Sequence, residues 1–275
     1  MEHIGFISFS KPVHQIFMFR AHFLIMKFII DMDGVLYRGN EKIKGAEKFI
    51  EFLQENNIPF LLATNNSTKT RKMFSEKLSQ MGIHVNEEQI ITSSYVTAET
   101  LKNIKGRAIV IGGAGIYDEL KRISWEIVDM EEWKRATHVI VGMDLELTYD
   151  KLKYGCLAIN NGAEFIATND DKNFPAEEGL IPGAGSIVAA LETATGKKAR
   201  VMGKPNQPYI NIIKSILGTE DLWVIGDRVE TDMVMADQLR ARKILVLSGV
   251  AKSGEANIVV NNVAEIPKLL RELLS

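Results

Sequence analysis

Phe28-Ile29-Ile30-Asp31-Met32-Asp33-Gly34-Val35-Leu36-Tyr37-Arg38-Gly39 reads as a buried strand that ends in two carboxylates. The apolar run carries β-branched and aromatic residues and breaks at Gly34. Asp31 and Asp33 therefore stand at the carboxyl end of a strand, where open α/β sheets place their ligand sites. Residues two apart on a strand share a side. Two carboxylates held together repel unless a cation lies between them or one keeps a proton. A solvated acidic turn has the same letters, so other stretches of the chain decide between the two readings.

Apolar runs that end in polar groups recur downstream. Ile58 to Ala63 is followed by Thr64-Asn65-Asn66-Ser67-Thr68. Leu222 to Ile225 is followed by Gly226-Asp227-Arg228, with Asp232 a little further on. Between these lies Gly203-Lys204-Pro205-Asn206. In one parallel sheet these ends converge on a single crevice. The converged set is two aspartates, a hydroxyl with nearby backbone N–H groups, a lysine and two further acids. Carboxylate and carbonyl oxygens suit Mg2+. Lysine and backbone donors suit the oxygens of a phosphate dianion.

In this order, D-x-D-G, Thr/Ser, Lys and G-D-x-x-x-x-D, the chain resembles the haloacid dehalogenase superfamily of phosphohydrolases. It is most similar to the NagD-like, or p-nitrophenyl phosphatase, branch. The phrases that carry the resemblance are Asp31 to Gly39, Thr64 to Thr68, Pro182-Gly183-Ala184-Gly185-Ser186, Gly203-Lys204-Pro205 and Gly226 to Asp232. It covers about Met26 to Leu274.

The resemblance implies an α/β protein: a Rossmann-like, doubly wound parallel-sheet core with an inserted α/β cap domain. It implies that Asp31 is a nucleophile forming an aspartyl-phosphate, which splits one hard step into two. Asp33 is implied as the general acid and then the base, which requires its neighbours to raise it from the usual aspartate value. Thr64 and Lys204 are implied as the phosphoryl-binding groups, with Asn65 beside them. Asp31, Asp227 and the Asp33 carbonyl are implied as Mg2+ ligands, and Asp232 as an outer acid that orients Lys204 or a metal-bound water. Relatives carry a glycine pair where this chain has Met235 and Arg240. Both favour helix more than glycine does, so the fold is expected to tolerate them.

Between the Thr64 and Lys204 motifs a second α/β pattern is expected. Its strands are read at 107–111, 137–141 and 165–167. Its helices are read at 115–122, 148–160 (opened by a Thr148 cap) and 185–195. The expected division is an N-terminal extension over 1–26, a catalytic core over 27–97 and 198–275, and a cap over 98–197. Cap residues Asn169 and Asp170 are expected to contact substrate, with Phe174 packing on a flat group. Gly112-Gly113-Ala114-Gly115 reads as a tight turn, because its spacing is not that of a dinucleotide-binding loop.

Composition is ordinary for a globular protein, with 46% apolar and 25% charged residues. A formal charge of −2 offers nothing to nucleic acid or an anionic membrane. The lone Cys156 cannot form an intrachain disulfide and reads as core. Trp125, Trp133 and Trp223 also read as core or interface. The first 25 residues are rich in Phe and Ile and hold His3, His14 and His22, but Lys11-Pro12 and Arg20 interrupt them. They match neither a signal peptide nor a membrane span, and a poorly ordered extension of a cytoplasmic protein is expected. Glu177 and Glu178 read as solvated turn.

The function expected is a Mg2+-dependent phosphatase acting on a small-molecule phosphomonoester, with a homodimer through the cap suggested by the resemblance. A phosphotransferase of the same fold and a phospho-accepting receiver-like signalling protein are the alternatives. A receiver lacks the D-x-D spacing and holds its phosphate. A non-catalytic scaffold would have lost Asp31, Asp33 or Asp227.

Overall fold

A computed structural model of the chain describes residues 26–176 and 179–273. The expectations for the first 25 residues and for Glu177 and Glu178 lie outside them. In chain order the strands are β1 (Lys27–Ile30), β2 (Tyr37–Arg38), β3 (Glu41–Lys42), β4 (Phe60–Thr64), β5 (Ile90–Thr92), β6 (Arg107–Ile111), β7 (Glu126–Ile127) and β8 (His138–Val141). They continue with β9 (Glu164–Ala167), β10 (Asn173–Ala176), β11 (Gly179–Pro182), β12 (Arg200–Val201), β13 (Leu222–Gly226), β14 (Arg242–Val246) and β15 (Ile258–Val260). The helices are α1 (Ala46–Glu55), α2 (Arg71–Gln80), α3 (Ser93–Leu101), α4 (Ala114–Arg122), α5 (Tyr149–Asn160), α6 (Ala184–Thr195), α7 (Gln207–Leu217), α8 (Val234–Leu239) and α9 (Ile266–Leu273).

Among the described residues one sheet has the order β15-β14-β13-β1-β4-β5, and all its neighbours run parallel. The chain builds outward from β1 to one side and then to the other, so β1 stands at the topological switch point. A second parallel sheet, β12-β9-β8-β6-β7, is built from the stretch between β5 and β13. Short antiparallel pairs, β2–β3 and β10–β11, stand apart from both.

Side-chain alternation along the strands sets the core. Phe28 and Ile30 face a cluster with Phe49, Leu53 and Trp223. Ile29, Leu61 and Ala63 face the other way, into a cluster shared with Val110, Ile116 and Ile140 of the second sheet. Ile109, Ile111 and Val139 line a third cluster on that sheet's far side. The middle cluster binds the two sheets into one apolar interior. Trp125 and Trp223 are buried, and Trp133 and the half-buried Cys156 pack against the third cluster.

Two features bear on where the second sheet begins and ends. Helix α3 runs unbroken across residues 97 and 98. Beyond residue 197, β12 pairs with β9, with Arg200 opposite Ile166 and Val201 opposite Ala167. The second sheet therefore takes residues read as part of the first.

The glycine-rich turn at 112–115 brings two backbones together. A Cβ on Gly113 would lie 2.6 Å from the Thr68 Cα, and one on Gly115 would lie 2.3 Å from the Lys69 carbonyl oxygen. Thr148 caps α5, its hydroxyl accepting from the Lys151 N–H at 3.3 Å. No helix among the described residues is long and apolar enough to cross a membrane.

Candidate active site

The carboxyl ends of the two sheets face one cleft of about 260 Å³. From the first sheet come Asp31 and Asp33 after β1, Thr64 and Asn65 at the end of β4, and Asp227 and Asp232 after β13. From the second come Asn169 and Asp171 after β9, and Lys204 after β12. Lys204 is thus not held at the end of a strand in the first sheet, as the single-sheet reading expected. It enters the cleft where the chain crosses back toward α7.

Lys204 is 3% exposed. Its Nζ donates to Asp31 Oδ1 at 2.6 Å, Asp232 Oδ1 at 2.8 Å and the Ala63 carbonyl at 2.9 Å. All three ammonium protons are taken. Burial works to strip the proton from this ammonium, but Asp232 and Asp31 outweigh it and hold Lys204 charged, above the usual lysine range. Burial likewise pushes the Asp31 carboxyl well above the usual carboxylate range, with Lys204 opposing it and Asp232 and Asp227 adding to it.

A π-helical turn, Val229–Met233, aims Asp232 back at the sheet. Its second oxygen accepts from the Arg228 N–H at 3.2 Å. Both oxygens of Asp232 therefore have protein donors, one of them the ammonium of Lys204.

Asp227 differs. Its Oδ2 accepts from the Val250 N–H at 2.6 Å, while its Oδ1 is buried with no partner. Two glycines make room for it. A Cβ on Gly249 would come within 1.8 Å of Asp227 Oδ2, and one on Gly34, at φ +86°, within 2.4 Å. Burial, then Asp232, pushes the Asp227 carboxyl up to about 6. Oxygens of Asp31, Asp227 and Asp232 all lie within 4.8 Å of one another. An orphaned carboxylate oxygen beside another acid fits a hard divalent cation. The Asp33 side chain is not in that trio.

Asp33 is half-buried on the cleft wall. Burial raises its carboxyl, and the charges of Lys77, Arg228 and Arg38 oppose the rise. Thr64 is 3% exposed and its hydroxyl accepts from the Asn66 N–H at 3.1 Å.

Of the residues expected to contact substrate on the second sheet, Asn169 and Phe174 line the cleft and Asp170 does not. Asp170 is exposed and is not part of the cleft wall, whereas Asp171 is. The Asn169 amide donates inward, to the Asn65 carbonyl at 2.7 Å, and its oxygen accepts from the Asp171 N–H at 3.2 Å. That local turn fixes which acid faces the cleft. Phe174, Met143, Arg38, Arg228 and Lys252 also line it. Of these only Phe174 was given a role from sequence; Arg38 and Arg228 lie inside quoted motifs whose spacing marks only the acids, and Met143 and Lys252 have no motif around them.

Models of two hydrolase families match the chain: haloacid dehalogenase-like hydrolase over residues 28–126, and HAD-hydrolase-like over 201–273. An acid sugar phosphatase of Staphylococcus epidermidis is 36% identical over 82% of this chain and 87% of its own. The chain belongs to the haloacid dehalogenase-like hydrolases. The 5′-nucleotidase YutF of Bacillus subtilis is 37% identical over 82% of this chain and 88% of its own. Among solved structures, a 4-nitrophenylphosphatase from Thermotoga maritima superposes with a TM-score of 0.82 at 32% identity, over 90% of this chain and 97% of that one. Within the haloacid dehalogenase-like hydrolases this likeness is to the NagD and nitrophenylphosphatase branch.

Proposed function

We propose that the chain is a Mg2+-dependent phosphatase of small phosphomonoesters, working through an aspartyl-phosphate on Asp31. The observation that carries this reading is the buried triangle in which one ammonium, Lys204, holds both Asp31 and Asp232 next to the unpartnered Asp227 Oδ1. The stretch that builds the second sheet, from β6 to β12, acts as the cap over the cleft. The relatives' names span a sugar phosphatase, a nucleotidase and a nitrophenylphosphatase, which supports phosphomonoesters as the substrate class.

Asp31 attacks phosphorus in line with the leaving oxygen. Lys204, with no proton to spare, acts on the phosphoryl group as a fixed positive charge. The Thr64 hydroxyl and the backbone N–H of Asn65 donate to phosphoryl oxygens. Asp33 gives its proton to the leaving alcohol, and burial, which raises its carboxyl above the usual aspartate value, favours its holding one. In the second half it takes a proton from the water that attacks the phosphorus of the aspartyl-phosphate. A divalent cation held by Asp31, Asp227 and the Asp33 carbonyl would keep Asp31 ionised and offset the charge of the phosphoryl group. Asp171 and Phe174 stand where the leaving group is read, one polar and one apolar.

The test is a panel of hexose phosphates, 5′-nucleotides and 4-nitrophenyl phosphate, assayed with Mg2+ and again with a chelator. Turnover that disappears on chelation and returns with Mg2+ is expected. No turnover of any phosphomonoester overturns the reading.

A further inference from the structure

Lys204 poses a structural problem. It lies beyond the two-residue strand β12, so no sheet neighbour pairs its backbone. Asn65 does this instead. The Lys204 N–H donates to Asn65 Oδ1 at 2.7 Å, and Asn65 Nδ2 donates back to the Lys204 carbonyl at 3.1 Å. The remaining proton of Nδ2 goes to Asp171 Oδ1 at 3.2 Å. Both donors of the carboxamide are therefore spent. The main chain of Asn65 is held as firmly, its carbonyl accepting from Ser93 Oγ at 2.6 Å and from the Asn169 amide at 2.7 Å. Asn65 is 8% exposed, and a Cβ on the adjoining Gly203 would lie 2.7 Å from its Oδ1.

These bonds leave the carboxamide of Asn65 no donor for a substrate, so any contact of this residue with a phosphoryl group falls to its backbone N–H. We infer that Asn65 is a positioning residue: its carboxamide sets the main chain of Lys204, and through it the Asp31 carboxylate, and ties Asp171 of the second sheet into the same register. The inference rests on the phosphatase reading. An ammonium displaced by a fraction of an ångström leaves Asp31 misaimed, and misplacement near 1 Å can lower a rate about 100-fold. The bond to Asp171 makes the wall on the leaving-group side part of that alignment.

The test is a double-mutant cycle on the full chain with 4-nitrophenyl phosphate and Mg2+. Asn65→Asp keeps an acceptor for the Lys204 N–H but sets a carboxylate oxygen against the Lys204 carbonyl and Asp171. It is expected to lower kcat about 100-fold with KM changed less than about threefold. Adding Asp171→Asn returns a donor to the 65–171 bond with the roles reversed, and is expected to recover about tenfold of the lost kcat. Asp171→Asn alone closes the cycle. Asn65→Ala removes the bonds without adding charge and serves if Asn65→Asp does not fold; a fall in kcat of at least about tenfold is then expected. An Asn65→Asp enzyme within about twofold of the wild type, or a double variant no faster than Asn65→Asp, overturns the inference while leaving the phosphatase reading standing. A wild-type chain with no turnover overturns both.

Discussion

A single buried ammonium organises the acids of the cleft. Lys204 takes one oxygen from Asp31 and one from Asp232, which leaves Asp227 Oδ1 as the acceptor without a donor. Charged groups so enclosed persist because each satisfies the next. A different titratable group sits far from the cleft, on the second sheet. His138 is buried against Trp125, with ring centroids 4.7 Å apart. Its Nε2 lies 3.3 Å from Glu164, which Arg200 also contacts at 3.3 Å, and its Nδ1 lies 2.8 Å from the Thr137 hydroxyl. Burial holds its value below the ordinary 6.5, with Glu164 opposing. The folded state therefore binds fewer protons at this site than the unfolded state. Its contribution is complete above the unfolded value and is lost as pH falls through the folded one. Urea unfolding at pH 7 and pH 5 should show that His138→Gln loses less stability over this interval than the wild type. Equal losses would contradict this.

At the scale of elements, helix α8 ends on Arg240 in the left-handed region, at φ 55°. The sequence reading judged Arg240 by its helix propensity, but the position is a cap where a side chain is strained and glycine is not. Arg240→Gly should stabilise the protein by about 1 kcal/mol, raising Tm by about 2–4 °C in a thermal melt. The other departures from the sequence reading have similar local causes. Strands β1, β4 and β13 were legible because long apolar runs end abruptly in polar residues. With them came Asp31, Asp33, Thr64 and Asp227, each at a strand end. Strand β12 was not legible, since Arg200–Val201 has neither the length nor the alternation of a strand. The place of Lys204 therefore stayed hidden even though the residue itself did not. The β10–β11 pair contains Pro175 and Pro182, which read as turn. Asp171 rather than Asp170 faces the cleft, held by the Asn169 side chain at its N–H and by the Asn65 amide at its carboxylate, contacts that no periodicity reveals.

At the scale of the molecule, the two sheets are joined by more than a shared apolar layer. Glu119 on α4 is 1% exposed. It accepts from Arg71 of α2 at 2.7 Å and from Arg122 at 2.6 Å. Arg122 reaches Glu99 of α3 at 2.7 Å, and both guanidinium groups stack on the ring of Tyr95, at 4.3 and 5.1 Å from its centre. The network binds helices of the first sheet to a helix of the second. Removing its buried acid takes the carboxylate from Arg71 and leaves Arg122 with Glu99 alone, so Glu119→Ala should destabilise the fold by about 3 kcal/mol, read from urea unfolding. An effect below about 0.5 kcal/mol would place the join in apolar packing alone. This join keeps the wall that carries Asp171 and Phe174 opposite the acids of the first sheet, and the chemistry proposed for the cleft depends on that opposition. The most direct test of that chemistry is the steady-state rate of Asp31→Asn on 4-nitrophenyl phosphate with Mg2+ present. The substitution preserves shape and removes the nucleophile, so kcat should fall at least about a thousandfold with the fold intact; a variant within about tenfold of the wild-type rate would contradict an aspartyl-phosphate on Asp31.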